Sequence, residues 1–293
     1  MRVLLTGASG FLGRHALDSL ERCGVEVVAL GRTRPHVPVK FIKADLLSVR
    51  DLRPFLREAD ATHLLHLAWY AEHGKYWSSP LNLRWVDATT RLVESFCDSG
   101  GRRVVVAGTC AEYDWKHGCC EEESTPLAPA TLYGLAKDVT RRLVMAICTQ
   151  HQASCGWGRI FIPFGRWESV ERLIPSLIEV FQGVRPPFGV NALAYRDFLH
   201  ASDVADGLIR LLSQDSNETY NISSGEPTRL SEVVLILADL LDADPAPILE
   251  LASERSGEPL LLLGNSLKLR ALGWRPVLNL RQGLVQTLRG DSE

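Results

Sequence analysis

The sequence predicts an α/β fold, a doubly wound parallel sheet (Rossmann-like) with a smaller C-terminal domain. Two observations lead there. Short apolar runs such as Val3-Leu4-Leu5, Val25-Glu-Val-Val-Ala-Leu30 and Arg103-Val-Val-Val-Ala-Gly108 alternate with longer stretches of helical periodicity. That is the pattern of βαβ units whose strands are buried on both faces. The first run also leads straight into a glycine turn, Thr6-Gly-Ala-Ser-Gly-Phe-Leu-Gly13, which opens a helix marked by Phe11, Leu12, Ala16, Leu17 and Leu20.

In an α/β sheet, a strand, a tight turn and a helix start make a phosphate site. Small residues let the backbone approach a pyrophosphate, and the helix N-terminus faces its charge. The glycines stand at 7, 10 and 13, a G-x-x-G-x-x-G spacing. Gly7, Ser9, Gly10, Phe11, Leu12 and Gly13 are the candidate dinucleotide cradle, with Leu67 and Ala68 at the end of the fourth strand joining the same set.

A chain of 293 residues with 46% hydrophobic and 23% charged residues can bury a large core. A net charge of −3 gives no general polyanion surface, so no nucleic-acid partner is expected. No apolar run is long enough to span a bilayer, and Met1-Arg2 leaves no room for a signal peptide before the first strand, so neither a membrane partner nor export is expected. The seven cysteines lack a metal-type pair, so no metal is expected, and free thiols suit a reducing cytoplasm.

The second strand, 25–30, ends at Gly31-Arg-Thr-Arg34. An acid at that tip would hold the ribose of NAD. Gly31 stands there instead, and Arg32 and Arg34 suit a 2′-phosphate, so NADP(H) is expected in preference to NAD(H). A third strand covers 39–43. Asp45, followed by Leu46, either meets the adenine amino group or caps a helix over 46–59. The fourth strand, 62–68, contains His66 in an apolar run, which reads as a core histidine. Residues 69–80, rich in Trp and Tyr, form a loop at the carboxyl edge of the sheet, and 81–99 form an amphipathic helix.

Thr109 follows the fifth strand, and Tyr133 and Lys137 lie on one face of the helix that runs to about 150. A free phenol, with a pKa of about 10, is a poor acid or base near neutrality, and a nearby ammonium lowers that value. Thr109 adds a hydroxyl for the reacting oxygen. These three are the candidate catalytic residues. The remaining elements are a sixth strand over 154–160 and helices over 168–183, 204–212 and 231–241.

With these motifs the chain resembles the extended short-chain dehydrogenase/reductases, in their nucleotide-sugar epimerase/dehydratase/reductase branch. The resemblance rests on the glycine fingerprint, Gly108-Thr109-Cys-Ala-Glu-Tyr113, the Tyr133/Lys137 pair, Tyr195-Arg196-Asp197-Phe-Leu-His200-Ala-Ser-Asp203, Tyr220-Asn-Ile-Ser-Ser-Gly225, Arg255-Ser-Gly-Glu258 and Leu272-Gly-Trp-Arg-Pro276. It implies a dinucleotide domain over 1–163 with 196–222, and a substrate-binding lid over 164–195 with 223–293. Tyr133 and Lys137 then also hold the cofactor. Arg196 and Arg255 contact the ribose or diphosphate of a sugar nucleotide, or else form surface ion pairs with Asp197 or Glu258. Thr109 and Cys110 face the sugar, and a homodimer through helices like 81–99 and 132–150 is implied.

The departures from the branch narrow the reaction. The acid pair that dehydratases carry after the catalytic Thr is replaced by Cys110 and Ala111. The Cys and His of the C3/C5-epimerising reductase are replaced by Ala111 and Arg172, and the C4 epimerases' acid at strand two is missing. A reductase of an NDP-4-keto-6-deoxyhexose using NADPH is therefore expected. The alternatives are an NAD-dependent C4 epimerase and a non-catalytic NADP-binding sensor. Asparagines usual in the branch are replaced by the Ile162-Pro-Phe-Gly165 segment and by Trp85. Trp69, Tyr70, Trp77 and Trp115 line the sugar pocket or pack in the core.

Overall fold

The structure, a computed structural model, describes residues 1–254 and 257–289. In chain order its elements are β1 (Arg2–Thr6), α1 (Phe11–Arg22), β2 (Glu26–Gly31), β3 (Lys40–Lys43), α2 (Arg53–Ala59), β4 (His63–His66), α3 (Leu81–Asp98) and β5 (Arg103–Thr109). Then come β6 (Cys119–Cys120), α4 (Leu132–Gln150), β7 (Ser154–Ile160), β8 (Ile162–Phe164), α5 (Leu173–Phe181), β9 (Tyr195–His200), α6 (Ala201–Leu212) and β10 (Glu218–Ile222). The C-terminal part holds β11 (Pro227–Arg229), α7 (Leu230–Leu240), α8 (Ala246–Leu249), β12 (Leu261–Gly264), α9 (Leu267–Ala271) and α10 (Leu280–Arg289).

Seven strands form one parallel sheet in the order β10-β7-β5-β4-β1-β2-β3. Side chains alternate between its faces. Val3, Leu5, Val105 and Ile222 pack under α1 and α6, while Leu4, Leu64, Val104 and Val106 pack under α3 and α4. From β1 the chain winds outward to β2 and β3, and from β4 it winds the other way. The crevice between β1 and β4 is therefore the switch point where open α/β sheets bind ligands.

A second sheet, β11-β9-β12-β6 with β8 beside β9, lies beyond the carboxyl ends of the first. Residues 196–200, grouped with the larger domain on sequence grounds, run in this second sheet as part of β9, while α6 and β10 join the first. Asp197 ties the sheets together. Its buried carboxylate accepts from Ser224 N and Oγ, both at 2.7 Å, and from Gly225 N and Gly264 N, both at 3.1 Å. Burial still pushes this carboxyl up to about 6.

Two helices are shorter than their periodicity predicts, and proline sets both limits. Pro54 stands in the first turn of α2, so the helix begins at Arg53 instead of 46. Pro175 stands in the first turn of α5, which begins at Leu173 instead of 168. A proline deeper in either helix would remove a hydrogen bond and clash with the preceding turn.

Candidate active site

The chain leaves β1 through Gly7 at φ 77°, a conformation that costs a residue with a Cβ about 1–2 kcal/mol. A Cβ there would lie 2.7 Å from the backbone nitrogen of Ala68, and one on Gly13 would collide with the Gly7 carbonyl. Gly10 N donates to that carbonyl at 3.0 Å. Gly10 is the N-cap of α1 and places no side chain over the helix N–H groups, and no acidic residue stands in the first turn. These open donors and side-chain-free walls fit a pyrophosphate. Ser9 belongs to the turn through its carbonyl, which accepts from Arg14 Nε at 3.3 Å.

Gly7, Gly10, Phe11, Leu12, Gly13 and Leu67 line a cleft of about 660 Å³. Thr109, Cys110, Tyr133, Lys137 and Arg196 line the same cleft. The structure thus brings the glycine cradle and all three candidate catalytic residues to one space. Thr109 is the last residue of β5, and Tyr133 and Lys137 lie on the first two turns of α4.

Lys137 is 4% exposed. Its Nζ donates to the Ala107 carbonyl at 2.9 Å and lies 3.9 Å from the centroid of the Trp69 ring and 6.0 Å from that of Tyr133. Burial drives its pKa down to about 7, with Glu112 opposing. Burial and the neighbouring Tyr76 push the Tyr133 phenol up, and a hydrogen bond with Thr109 pulls it back. The ring of Tyr133 meets Tyr76 edge-on at 4.8 Å and Trp77 at 5.7 Å. Burial also raises the Cys110 thiol, while the Cys110 carbonyl takes the Trp115 indole N–H at 2.8 Å.

Glu112, a residue the sequence reading passed over, anchors this arrangement. It is fully buried. Its carboxylate accepts from Thr109 N at 2.9 Å, Trp157 Nε1 at 2.9 Å and Arg159 Nε at 2.8 Å. Thr109 Oγ1 in turn accepts from Ala111 N at 3.2 Å, completing a reciprocal cap on the turn after β5. The T-x-x-E spacing was the available signal. Arg159 also donates to Tyr113 Oη at 2.8 Å, and that hydroxyl donates to Asn221 Oδ1 at 2.8 Å.

The aromatic loop 69–80 is fastened by Asn82, also missed. Asn82 Nδ2 donates to the Tyr76 carbonyl at 2.7 Å and the Ser79 carbonyl at 2.9 Å, and its Oδ1 accepts from Trp69 Nε1 at 2.9 Å. Tyr133 N donates to the Trp77 carbonyl at 3.0 Å. Trp69, Trp77 and Trp115 line the cleft, whereas Trp85 stacks behind Trp69 at 6.0 Å. His66 is the core histidine its apolar setting implied. It lies 2.7 Å from Thr6 Oγ1 and 2.9 Å from Thr89 Oγ1, and burial lowers its pKa to about 3.

Arg32, Arg34, Asp45 and Leu46 stand apart from this cleft, whereas Arg196 lines it. Asp45 spends its carboxylate on a turn, accepting from Leu47 N and Ser48 Oγ, both at 3.1 Å. Leu46 is buried in the core. Arg34 lies 5.1 Å above the Phe41 ring, and Arg32 is exposed. Arg196 is half-buried and directs one nitrogen to the carbonyls of Tyr195 at 2.9 Å and Pro259 at 2.8 Å, and the other to Glu258 at 3.4 Å. Arg255 lies outside the described residues. Among the described residues there is no cluster of metal-ligating side chains and no helix long and apolar enough to cross a membrane.

A profile of the NAD dependent epimerase/dehydratase family matches residues 3–223. The chain belongs to that family. Among its epimerase/dehydratase relatives, UDP-glucose 4-epimerase of Streptococcus mutans is 27% identical over 94% of this chain and 92% of its own length. MoeE5 in complex with UDP-glucose and NAD is 27% identical, with a TM-score of 0.85 over 100% of this chain and 99% of its own. The Thermus thermophilus UDP-glucose 4-epimerase complex with NAD is 25% identical, with a TM-score of 0.86 over 99% of this chain and 98% of its own.

These relatives correct the cofactor expectation. Both solved structures are complexes with NAD, and the family itself is described as NAD dependent, so the NADP(H) preference read from Arg32 and Arg34 does not hold. The physical error was to treat a basic turn as a phosphate clamp. Arg34 is parked on Phe41, Arg32 faces solvent, and neither reaches the cleft.

Proposed function

We propose that this chain is an NAD-dependent nucleotide-sugar 4-epimerase acting on a UDP-hexose. The observation that carries the reading is the single cleft in which the glycine cradle faces Thr109, Tyr133 and Lys137. The similarity to UDP-glucose 4-epimerases along nearly the whole chain supports it. It replaces the expected reductase, whose case leaned on NADPH.

A bound NAD would supply a reversible hydride acceptor for the sugar carbon. The cradle of Gly7, Gly10 and Gly13 would hold its pyrophosphate. Tyr133 Oη takes the proton from the sugar hydroxyl as that carbon is oxidised, and returns it when the carbon is reduced on its other face. Thr109 Oγ hydrogen-bonds the same oxygen. Lys137, with its Nζ 6.0 Å from the centre of the Tyr133 ring, favours the ionised phenol when it carries its proton. The Cys110-Ala111 pair in place of two acids speaks against dehydration. The seven free thiols suit a reducing cytoplasm.

A homodimer through α3 and α4 is part of the proposal. Leu135, Val139 and Leu143 stand four residues apart on α4 with 48%, 38% and 42% exposure, and Leu83 on α3 is 59% exposed. That is an apolar stripe of the kind a second copy covers.

The test is interconversion of UDP-glucose and its 4-epimer, followed by NMR, with NAD as the cofactor. Tyr133→Phe should lower the rate by about 10²–10⁴ while leaving NAD binding intact. Net consumption of NADPH with a keto sugar and no epimerisation would overturn the reading. An unchanged cellular role for Tyr133→Phe would point to a sensor.

A further inference from the structure

The cleft holds three polar groups that this chemistry does not use. Glu168, between β8 and α5, lines the cleft, and its Oε2 is sealed from solvent without a partner. Arg172, the N-cap of α5, lies 5.5 Å over the ring of Tyr76. His73, in the aromatic loop, lines the same space with Nδ1 also sealed and without a partner. Tyr76 packs edge-on against Tyr133, so Arg172 sits one ring away from the reacting phenol. Buried polar atoms are normally paired, and those left open in a cleft are the ones a ligand satisfies.

The charges around Glu168 are few. Burial pushes its carboxyl up to about 8, opposed by Arg172. Burial and Arg172 together lower the pKa of His73, with Glu171 opposing. Glu168 and Arg172 thus present one acid and one cation to the same cleft.

We propose that Glu168, Arg172 and His73 form a subsite that takes a hydroxyl-bearing substituent of the sugar and, when Glu168 is ionised, rejects a carboxylate in the same place. A hydroxyl donates to Glu168 Oε2 and accepts from Arg172. A carboxylate satisfies Arg172 but meets the carboxylate of Glu168, and it enters only if one of the two takes up a proton. Ionised, Glu168 is therefore the specificity-determining residue that separates neutral hexoses from hexuronates by repulsion, and taking up a proton relaxes that selection. MoeE5 offers the contrast: it is also solved with UDP-glucuronic acid and NAD, and is 26% identical to this chain with a TM-score of 0.83. The inference rests on the nucleotide-sugar reading above.

Calorimetric titration of the full chain, saturated with NAD, with UDP-glucose and UDP-glucuronate at pH 9 tests it. The wild type should bind UDP-glucose at least about tenfold more tightly than UDP-glucuronate. Glu168→Gln should remove most of that gap by tightening UDP-glucuronate, with UDP-glucose little changed. The wild type alone gives a second readout: its affinity for UDP-glucuronate should rise as pH falls from 9 to 7. Lys137 titrates in the same cleft but does so in both proteins, so a steeper rise in the wild type than in Glu168→Gln isolates Glu168. Equal affinity of the wild type for both ligands at pH 9, or a Gln variant that weakens both alike, overturns the proposal and leaves the nucleotide-sugar reading standing. If neither ligand binds either protein, both fall.

Discussion

Removing the Glu112 side chain should be among the most costly single changes in this protein. Glu112 is 0% exposed, and the Arg159 side chain paired with it at 2.8 Å is 2% exposed. Glu112→Ala would leave that guanidinium with only Tyr113 as a buried partner, and would orphan Thr109 N and Trp157 Nε1. Breaking a buried ion pair from one side costs about 3–5 kcal/mol. With an unfolding entropy of about 2.1 cal/mol/K per residue, the chain loses stability at about 0.6 kcal/mol per degree near its midpoint. Glu112→Ala should therefore melt about 5–8 °C below the wild type by calorimetry. Its turnover should fall too, because the Thr109 turn loses its cap. Replacing both partners, Glu112→Leu with Arg159→Met, should recover much of the loss, since the penalty lies in the unpaired charge. A Glu112→Ala variant melting within about 1 °C of the wild type would refute the reasoning, and so would a double variant no better than the single.

Three other outcomes are expected. Lys137 has a folded pKa near 7 against an ordinary value of 10.5. Below pH 7 both folded and unfolded chains carry the proton, and the full cost of burying the ammonium is felt. Between 7 and 10.5 the unfolded chain holds more protons, so stability rises with pH in that window. Urea midpoints should show this rise in the wild type and a flatter profile in Lys137→Met. Gly7→Ala, at φ 77° and 2.7 Å from Ala68 N, should abolish the thermal shift given by NAD, and retention of that shift would remove the cradle from the cofactor site. Val139→Glu on the apolar face of α4 should convert a dimer to a monomer in sedimentation, with the fold unchanged by circular dichroism.

Much of the fold was legible because its signals are local. Glycines at fixed offsets after an apolar run place the cradle, and Tyr133 and Lys137 share a helical face at four-residue spacing. The overlong helices at 46–59 and 168–183 followed from weighing periodicity above Pro54 and Pro175, whose ring and missing N–H fix a helix start. What stayed hidden was mostly tertiary. Nothing near Arg34 in sequence says that Phe41 will lie beneath it, so a solvated turn read as a 2′-phosphate site. Glu168, Arg172 and His73 line one cleft although they come from the loop after β4 and from the start of α5. Glu112 is different, since its capping-box spacing from Thr109 was on view and went unread.

The closeness of Lys137 to Trp69 has an optical consequence. A positive charge 3.9 Å over the centre of an indole ring perturbs the energy of the excited indole, whose charge distribution differs from that of the ground state. Each gain or loss of the Lys137 proton therefore changes the light Trp69 emits. The molecule thus carries its own fluorophore beside the Lys137 ammonium, and the protonation state of a buried amine becomes visible in intrinsic fluorescence without a label.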